Sequence, residues 1–254
     1  MILNIKHFVV FITILVFLSC GEEKSALSEV EGKQLPITSA LAPVNTIDDF
    51  VAPYRERIDQ VLDSSLAYAT KNITKEDGKY NTTAGNLMAD IILEMANPVF
   101  KARTKKDIDF VVLNHGGIRS VISKGPVSAR TAYEIMPFEN TIAIVELTGK
   151  SVRELVSFLI EARRPQPIAG IQIVLDKNGE LQSVNIGGKP FNETQSYFIA
   201  TSNYLVNGGD DMGFFTHGLH VTEIDYKVRN AIIDYFKKVD TLSPVVDNRF
   251  MQLN

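Results

Sequence analysis

Three loops of this chain concentrate residue types that can hold a small polar ligand. The first, LNHGGIRS at 113–120, ends an apolar run at Asn114, follows it with Gly116 and Gly117, and supplies Arg119. An asparagine both donates and accepts, a glycine pair lets backbone approach a ligand, and a guanidinium forks onto phosphate or carboxylate. In the second, IMPFENTIAI at 135–144, Pro137 fixes the chain just before Phe138, and Asn140 precedes an alternating run. An aromatic ring so placed either seals a core edge or serves as a stacking platform for a flat ring. The third, TSNYLVNGGDDMGFF at 201–215, offers Tyr204 as a ring, Gly208 and Gly209 as a sharp turn, and Asp210 as an acceptor for two vicinal hydroxyls. Each loop also has a plainer reading, as a strand-to-loop turn with a surface arginine, or a turn capped by Asp210 over a core Tyr204. Taken singly, the loops leave both readings open.

The elements that must position these loops are legible in the hydrophobic periodicity. Residues 47–66 place Phe50, Tyr54, Ile58, Val61 and Leu62 at helical spacing, which predicts a long amphipathic helix opening the domain. A second helix is predicted from a cap at Thr82 or Thr83, with Leu87, Ile91, Ile92 and Met95 on one face and a stop at Asn97-Pro98. TGKSVRELVSFLIEARR predicts a third, capped by Thr148 or Ser151, and DYKVRNAIIDYFKKV a fourth. Between them, DIDFVVLN and NTIAIVELT read as strands, as does the run YFIA, and GIQIVLDKNGELQSVNIGGKPF reads as a hairpin turning at Lys177-Asn178-Gly179. Helices interleaved with strands and hairpins predict an α/β fold, a single layered domain of mixed β-sheets and helices at 46–254.

A chain of 254 residues, 45% hydrophobic and 22% charged, can bury a normal core. A formal charge of −4 without a long basic run argues against a nucleic-acid polymer as partner. Residues 1–20 have the layout of a signal peptide: Lys6, an apolar stretch from Phe8 to Leu18, then Ser19 and Cys20. The apolar stretch is shorter than the roughly 20 residues that span a bilayer. FLSC resembles a bacterial lipobox, whose cysteine carries lipid, with Phe17 where leucine is usual. Residues 21–45, polar with small residues and prolines, read as a flexible tether. The expected location is therefore the cell envelope, as a lipoprotein facing the periplasm or exposed on the outer membrane, contacting membrane through its N-terminal lipid only.

Histidine chemistry has little to build on. Beyond His7 and His115 there is only the HGLH segment, whose His217 and His220 lack the surrounding Asp, Asn and His of a two-metal site and read as surface-loop residues. No serine stands in a G-x-S-x-G turn.

NHGGIRS, MPFENTIAIVELTGKSVREL and YFIATSNYLVNGGDDMGFF, in this order and at these separations, resemble the C-terminal, substrate-binding domain of the 5′-nucleotidase and UDP-sugar hydrolase family. TTAGNLMADII is similar to that domain's earlier GN segment, and DNRF to its closing strand, so the resemblance covers roughly residues 50 to 252. It implies that Phe138 and Tyr204 sandwich a nucleobase, that Asp210 holds ribose hydroxyls, that Arg119 clamps phosphate or ribose, and that Asn114 and Asn140 read polar groups, with Gly208 and Gly209 shaping the turn. Departures are Tyr204 in place of phenylalanine, and Asp211 and His115 in place of glycines. The family's further arginine ahead of the GN helix is missing, Lys79 being the nearest basic residue. The resemblance implies that catalysis sits in a separate metallophosphatase domain bearing two metals. This chain is then expected to carry no catalytic residue, metal or cofactor, and not to hydrolyse phosphate esters alone. Two functions stay open, beside a plainer reading in which the fold keeps no ligand and the motifs survive as structure. One is the recognition half of a 5′-nucleotidase-type hydrolase, binding a nucleoside or nucleoside 5′-phosphate for a separately encoded metallophosphatase subunit in nucleotide breakdown. The other is a stand-alone nucleoside- or nucleotide-binding lipoprotein without hydrolysis.

Overall fold

The computed structural model describes residues 8–13, 27, 29, 31–38, 40–42, 44–162 and 164–253. Cys20, most of the expected signal and residues 21–26 of the expected tether lie outside these residues. By its internal contacts the chain divides into two units, 1–49 and 50–254. In the first, residues 8–13 are helical and exposed. Among the described residues no helix is long and apolar enough to cross a membrane.

The second unit is a mixed α/β domain with sheets of three, five and four strands. The five-stranded sheet is the centre. Its strands are β2 (Phe110–Val112), β4 (Thr141–Thr148), β5 (Ile168–Ala169), β9 (Ser196–Ser202) and β10 (His220–Lys227), in the order β10-β4-β9-β2-β5. Period-two alternation buries both faces. Ile142 and Ile144 of β4, Val111 of β2 and Ala200 of β9 face one core, packed under α2 (Thr83–Thr104) and α6 (Val228–Lys238). Val145, Leu147, Phe110, Val112 and Ile199 face the other, shared with α4 (Gly149–Glu161) and with the sheet formed by β6 (Ile171–Leu175), β7 (Leu181–Ile186), β8 (Lys189–Pro190) and β12 (Phe250–Gln252). The remaining sheet pairs β1 (Ser65–Ala69) with β3 (Gly125–Ser128) and β11 (Thr241–Leu242).

Most predicted elements are present, with instructive differences. The opening helix, α1 (Asn45–Leu62), stops before the predicted end at Leu66, because Ser65–Ala69 pairs as β1 with strands distant in sequence. No residue of α1 is buried, so its apolar stripe does not face a core. Instead Arg130 of α3 (Ala129–Ile135) forms ion pairs with Asp59 and Asp63 at its C-terminal end, each at 2.5 Å. Helix α2 is capped by Thr82, whose hydroxyl accepts from the Gly85 N–H at 3.1 Å. It runs through Pro98 to Thr104 rather than stopping at Asn97-Pro98. A helix-interior proline costs about 3 kcal/mol. Burial of Phe100 two residues later offsets much of that, since a buried phenylalanine contributes roughly 2–3 kcal/mol. Asn97 uses its side chain to anchor the exit of the helix, accepting from the Ile108 N–H at 2.8 Å and donating to Asp107 at 3.1 Å. Helix α4 takes Thr148 as its cap, and the hairpin of β6 and β7 closes through Asp176, whose carbonyl accepts from Gly179 N–H at 3.0 Å.

Candidate functional site

Sheet register brings the three loops together. Strand β2 runs parallel to β9, so the segments after Val112 and after Ser202 leave the same edge. Strand β4 is antiparallel to β9 with Ile142 opposite Ser202, which places the segment entering β4 on that edge too. Asn203, the first residue of the short helix α5 (Asn203–Val206) and not singled out by sequence, ties the junction: its Oδ1 accepts from the Thr141 N–H at 3.2 Å. Ligands of open α/β sheets commonly bind at such strand ends, where loops diverge and leave a crevice.

The result is a cavity of about 320 Å³ lined by Asn114, Gly116, Gly117, Arg119, Phe138, Asn140, Tyr204 and Asp210. The Asp210 carboxylate ties two of the other lining residues together. Oδ2 accepts from Asn114 Nδ2 at 2.6 Å, and Oδ1 accepts from the Tyr204 hydroxyl at 2.9 Å. A carboxylate has about four acceptor positions, so each oxygen keeps one for a further donor. The bond to Asp210 holds the phenol proton and raises the Tyr204 pKa above its ordinary value. Arg119 donates to the Gly116 carbonyl at 3.2 Å, and its guanidinium lies 5.9 Å from the Phe138 ring centroid. The two rings remain accessible, Phe138 being 40% and Tyr204 47% exposed.

The glycine turn has a steric reason. Gly208 sits at φ 83, a left-handed conformation with no Cβ penalty. Gly209 backs the Tyr204 ring closely: a Cβ there would lie 2.6 Å from two ring carbons. Both glycines shape the loop and neither lines the cavity. Lys79 is also elsewhere, with its ammonium 3.3 Å from Gln252 Oε1 and over the Tyr80 ring; the structure does not bring it to the cavity.

Residues 62–217 match the family described as 5′-nucleotidase, C-terminal domain. The chain belongs to that family. It is 28% identical over 188 residues to the trifunctional nucleotide phosphoesterase protein YfkN of Bacillus subtilis, covering 68% of this chain and 12% of that protein. It is 26% identical over 191 residues to a 5′-nucleotidase of Vibrio vulnificus, covering 72% of this chain and 32% of that one. The crystal structure of a 5′-nucleotidase precursor from Thermus thermophilus superposes with a TM-score of 0.67 at 21% identity, covering 83% of this chain and 43% of that one, which establishes a shared fold. The chain thus spans a third or less of these two curated relatives.

Within this 5′-nucleotidase C-terminal domain the departures noted in the sequence have distinct physical outcomes. Asp211 takes φ 63 and Asp210 φ 52, so a left-handed stretch that glycine would enter freely is carried by two aspartates. Such residues tolerate the region better than most, yet each stores of order 1 kcal/mol. His115 brings no such strain. It lies in the short 3-10 turn His115–Gly117, buried, with its backbone N–H donating to Gln166 Oε1 at 2.7 Å and ring Nδ1 3.3 Å from the Pro165 carbonyl. Burial is the main cause that lowers its pKa. His217 is exposed, 3.6 Å from a Glu154 oxygen, and His220 begins β10. Among the described residues no three His, Cys, Asp or Glu side chains are grouped to hold a metal ion.

Proposed function

We propose that the cavity binds a nucleoside or nucleoside 5′-phosphate, and that the chain is the nucleotide-recognition half of a 5′-nucleotidase-type phosphohydrolase. What carries this reading is that one cavity is lined together by two accessible aromatic rings, an oriented carboxylate, an arginine and two asparagines. Phe138 and Tyr204 take the base between them; stacking suits any base, since every base has a π-face. The free acceptor position on each Asp210 oxygen takes the vicinal ribose hydroxyls. Arg119 meets the phosphate or ribose, and Asn114 and Asn140 read polar edges. Asn114 also holds Asp210 in place, so the carboxylate is oriented before the ligand arrives.

These residues bind and orient; none is placed to cleave a phosphate ester. The divalent metals and the attacking water belong, in this reading, to a metallophosphatase subunit to which this chain presents its ligand for nucleotide breakdown. We further propose that Cys20 carries a lipid that anchors the chain in the cell envelope.

Calorimetric titration of the form beginning after Cys20, with adenosine, AMP and UDP-glucose and with or without manganese, tests the reading. The expected result is saturable binding without phosphate release. Absence of binding by all three ligands refutes it. Phosphate release by the chain alone would remove the need for a partner.

A further inference from the structure

Arg229, the second residue of α6, is a buried charge on a helix face that otherwise packs Val228, Ala231 and Ile232. Its side chain is 5% exposed. A guanidinium at that depth costs several kcal/mol unless its hydrogens find acceptors. Those on the two terminal nitrogens find them in a single segment, while Nε is left without a partner. Nη1 donates to the carbonyls of Met136 at 3.5 Å, Pro137 at 3.2 Å and Phe138 at 3.2 Å. Nη2 donates to the Glu139 carboxylate, and the Tyr133 ring lies across the guanidinium, its centroid 4.0 Å from Cζ. The same turn of chain supplies two more ties: Lys227 bonds Glu139, and the Val228 N–H donates to the Asn140 carbonyl at 3.0 Å.

Residues 136–140 therefore have every member bonded to the start of α6, and they form no helix or strand of their own. Two of them, Phe138 and Asn140, line the cavity. Phe138 is too exposed for burial to hold its ring, so its position is set by its backbone. One terminal nitrogen collects the carbonyls while the other holds the Glu139 carboxylate, a two-ended geometry that a fork satisfies and a point charge does not.

We propose that Arg229 is the positioning residue for nucleobase recognition, holding 136–140 so that Phe138 presents its ring to the ligand. This rests on the reading of the cavity as a nucleoside site. Bonds from Arg229 and Lys227 hold the Glu139 carboxyl at about 2, so the pairing persists through the neutral and mildly acidic range.

The test compares wild type, Phe138→Ala, Arg229→Lys and Glu139→Gln. Affinity is measured for AMP by calorimetry, and amide hydrogen exchange is followed by mass spectrometry in peptides covering 136–140 and α4. Arg229→Lys keeps the charge and stem but loses the fork. Its expected effects are AMP binding weakened about tenfold or more, as befits loss of one stacking face, and faster exchange at 136–140 with α4 unchanged. A merely structural role would instead accelerate exchange in both peptides. Glu139→Gln alters an exposed side chain and leaves an amide oxygen that still accepts from Nη2, and so keeps the question answerable if Arg229→Lys does not fold. It is expected to weaken AMP binding roughly two- to fivefold. If wild type binds AMP and Phe138→Ala weakens it while the other two variants bind as wild type does, the proposal is overturned and the nucleoside site stands. If wild type binds no AMP, the site reading fails and the proposal fails with it.

Discussion

Replacing Gly209 by alanine places a methyl carbon 2.6 Å from Cε1 and Cζ of the Tyr204 ring and 2.8 Å from the Tyr204 carbonyl oxygen. Ordinary contact begins near 3.4 Å, so the ring must move by about 0.8 Å. The carbonyl cannot yield without disturbing the helix turn Asn203–Val206, and the ring cannot retreat through Gly209. The remaining direction is into the cavity, where the base is expected to lie. That motion also pulls the hydroxyl off Asp210, so the ring and the carboxylate lose register together. Base–aromatic stacking contributes about 1–3 kcal/mol, so loss of this face predicts adenosine binding weakened by roughly 5- to 150-fold. Gly208→Ala is the control. It strains the backbone at φ 83, costing about 1 kcal/mol of stability, but its Cβ makes only ordinary contacts, with the Thr216 methyl at 3.5 Å and Gly213 Cα at 3.9 Å. Calorimetric titration of folded protein reads affinity, and a thermal scan reads stability. Gly209→Ala binding adenosine as tightly as wild type, or losing no more affinity than Gly208→Ala, would refute the assignment of Tyr204 as a stacking ring backed by glycine.

Further outcomes follow from other parts of the structure. 2′-Deoxyadenosine should bind about tenfold more weakly than adenosine, because one hydroxyl no longer reaches a charged acceptor on Asp210; equal affinities would show that Asp210 does not read the vicinal pair. Arg249, 15% exposed, bridges Asp90 of α2, Asp247 and the Ile168 carbonyl. Arg249→Met should lower stability by about 2–3 kcal/mol in urea titration while leaving ligand affinity of the folded form unchanged. For His115, burial lowers the folded-state pKa below the unfolded value, so the unfolded chain binds the extra proton first as pH falls. Stability should therefore drop on acidification below about 6.5, and His115→Gln should flatten the melting-temperature profile there; an unchanged profile would remove His115 as its cause.

Much of the architecture could be read from the chain. The runs that become β2, β4 and β9 have strand composition, Thr82 and Thr148 are competent caps, and Lys177-Asn178-Gly179 carries turn chemistry. These are local properties, dictated by backbone sterics and side-chain hydrogen bonding within a few residues. Errors fell where distant partners outweighed local preference. Pro98 is carried inside α2 because Phe100 beyond it is buried, and Ser65–Ala69 leaves the helical pattern because β3 and β11 complete its backbone bonds.

The site divides along the same line. Residue types alone supplied two rings, a carboxylate, a guanidinium, two amides and the family resemblance joining them. Whether they meet was decided by β2 parallel to β9 and β4 antiparallel to it, pairings that join segments far apart in sequence. The bond of Tyr204 to Asp210 and the grip of Arg229 on 136–140 were likewise invisible in the chain. A local pattern can specify which face of an element is apolar. Only packing specifies which buried cation ends beneath which loop, because burial forces a charge to take whatever acceptors the assembled fold puts within reach.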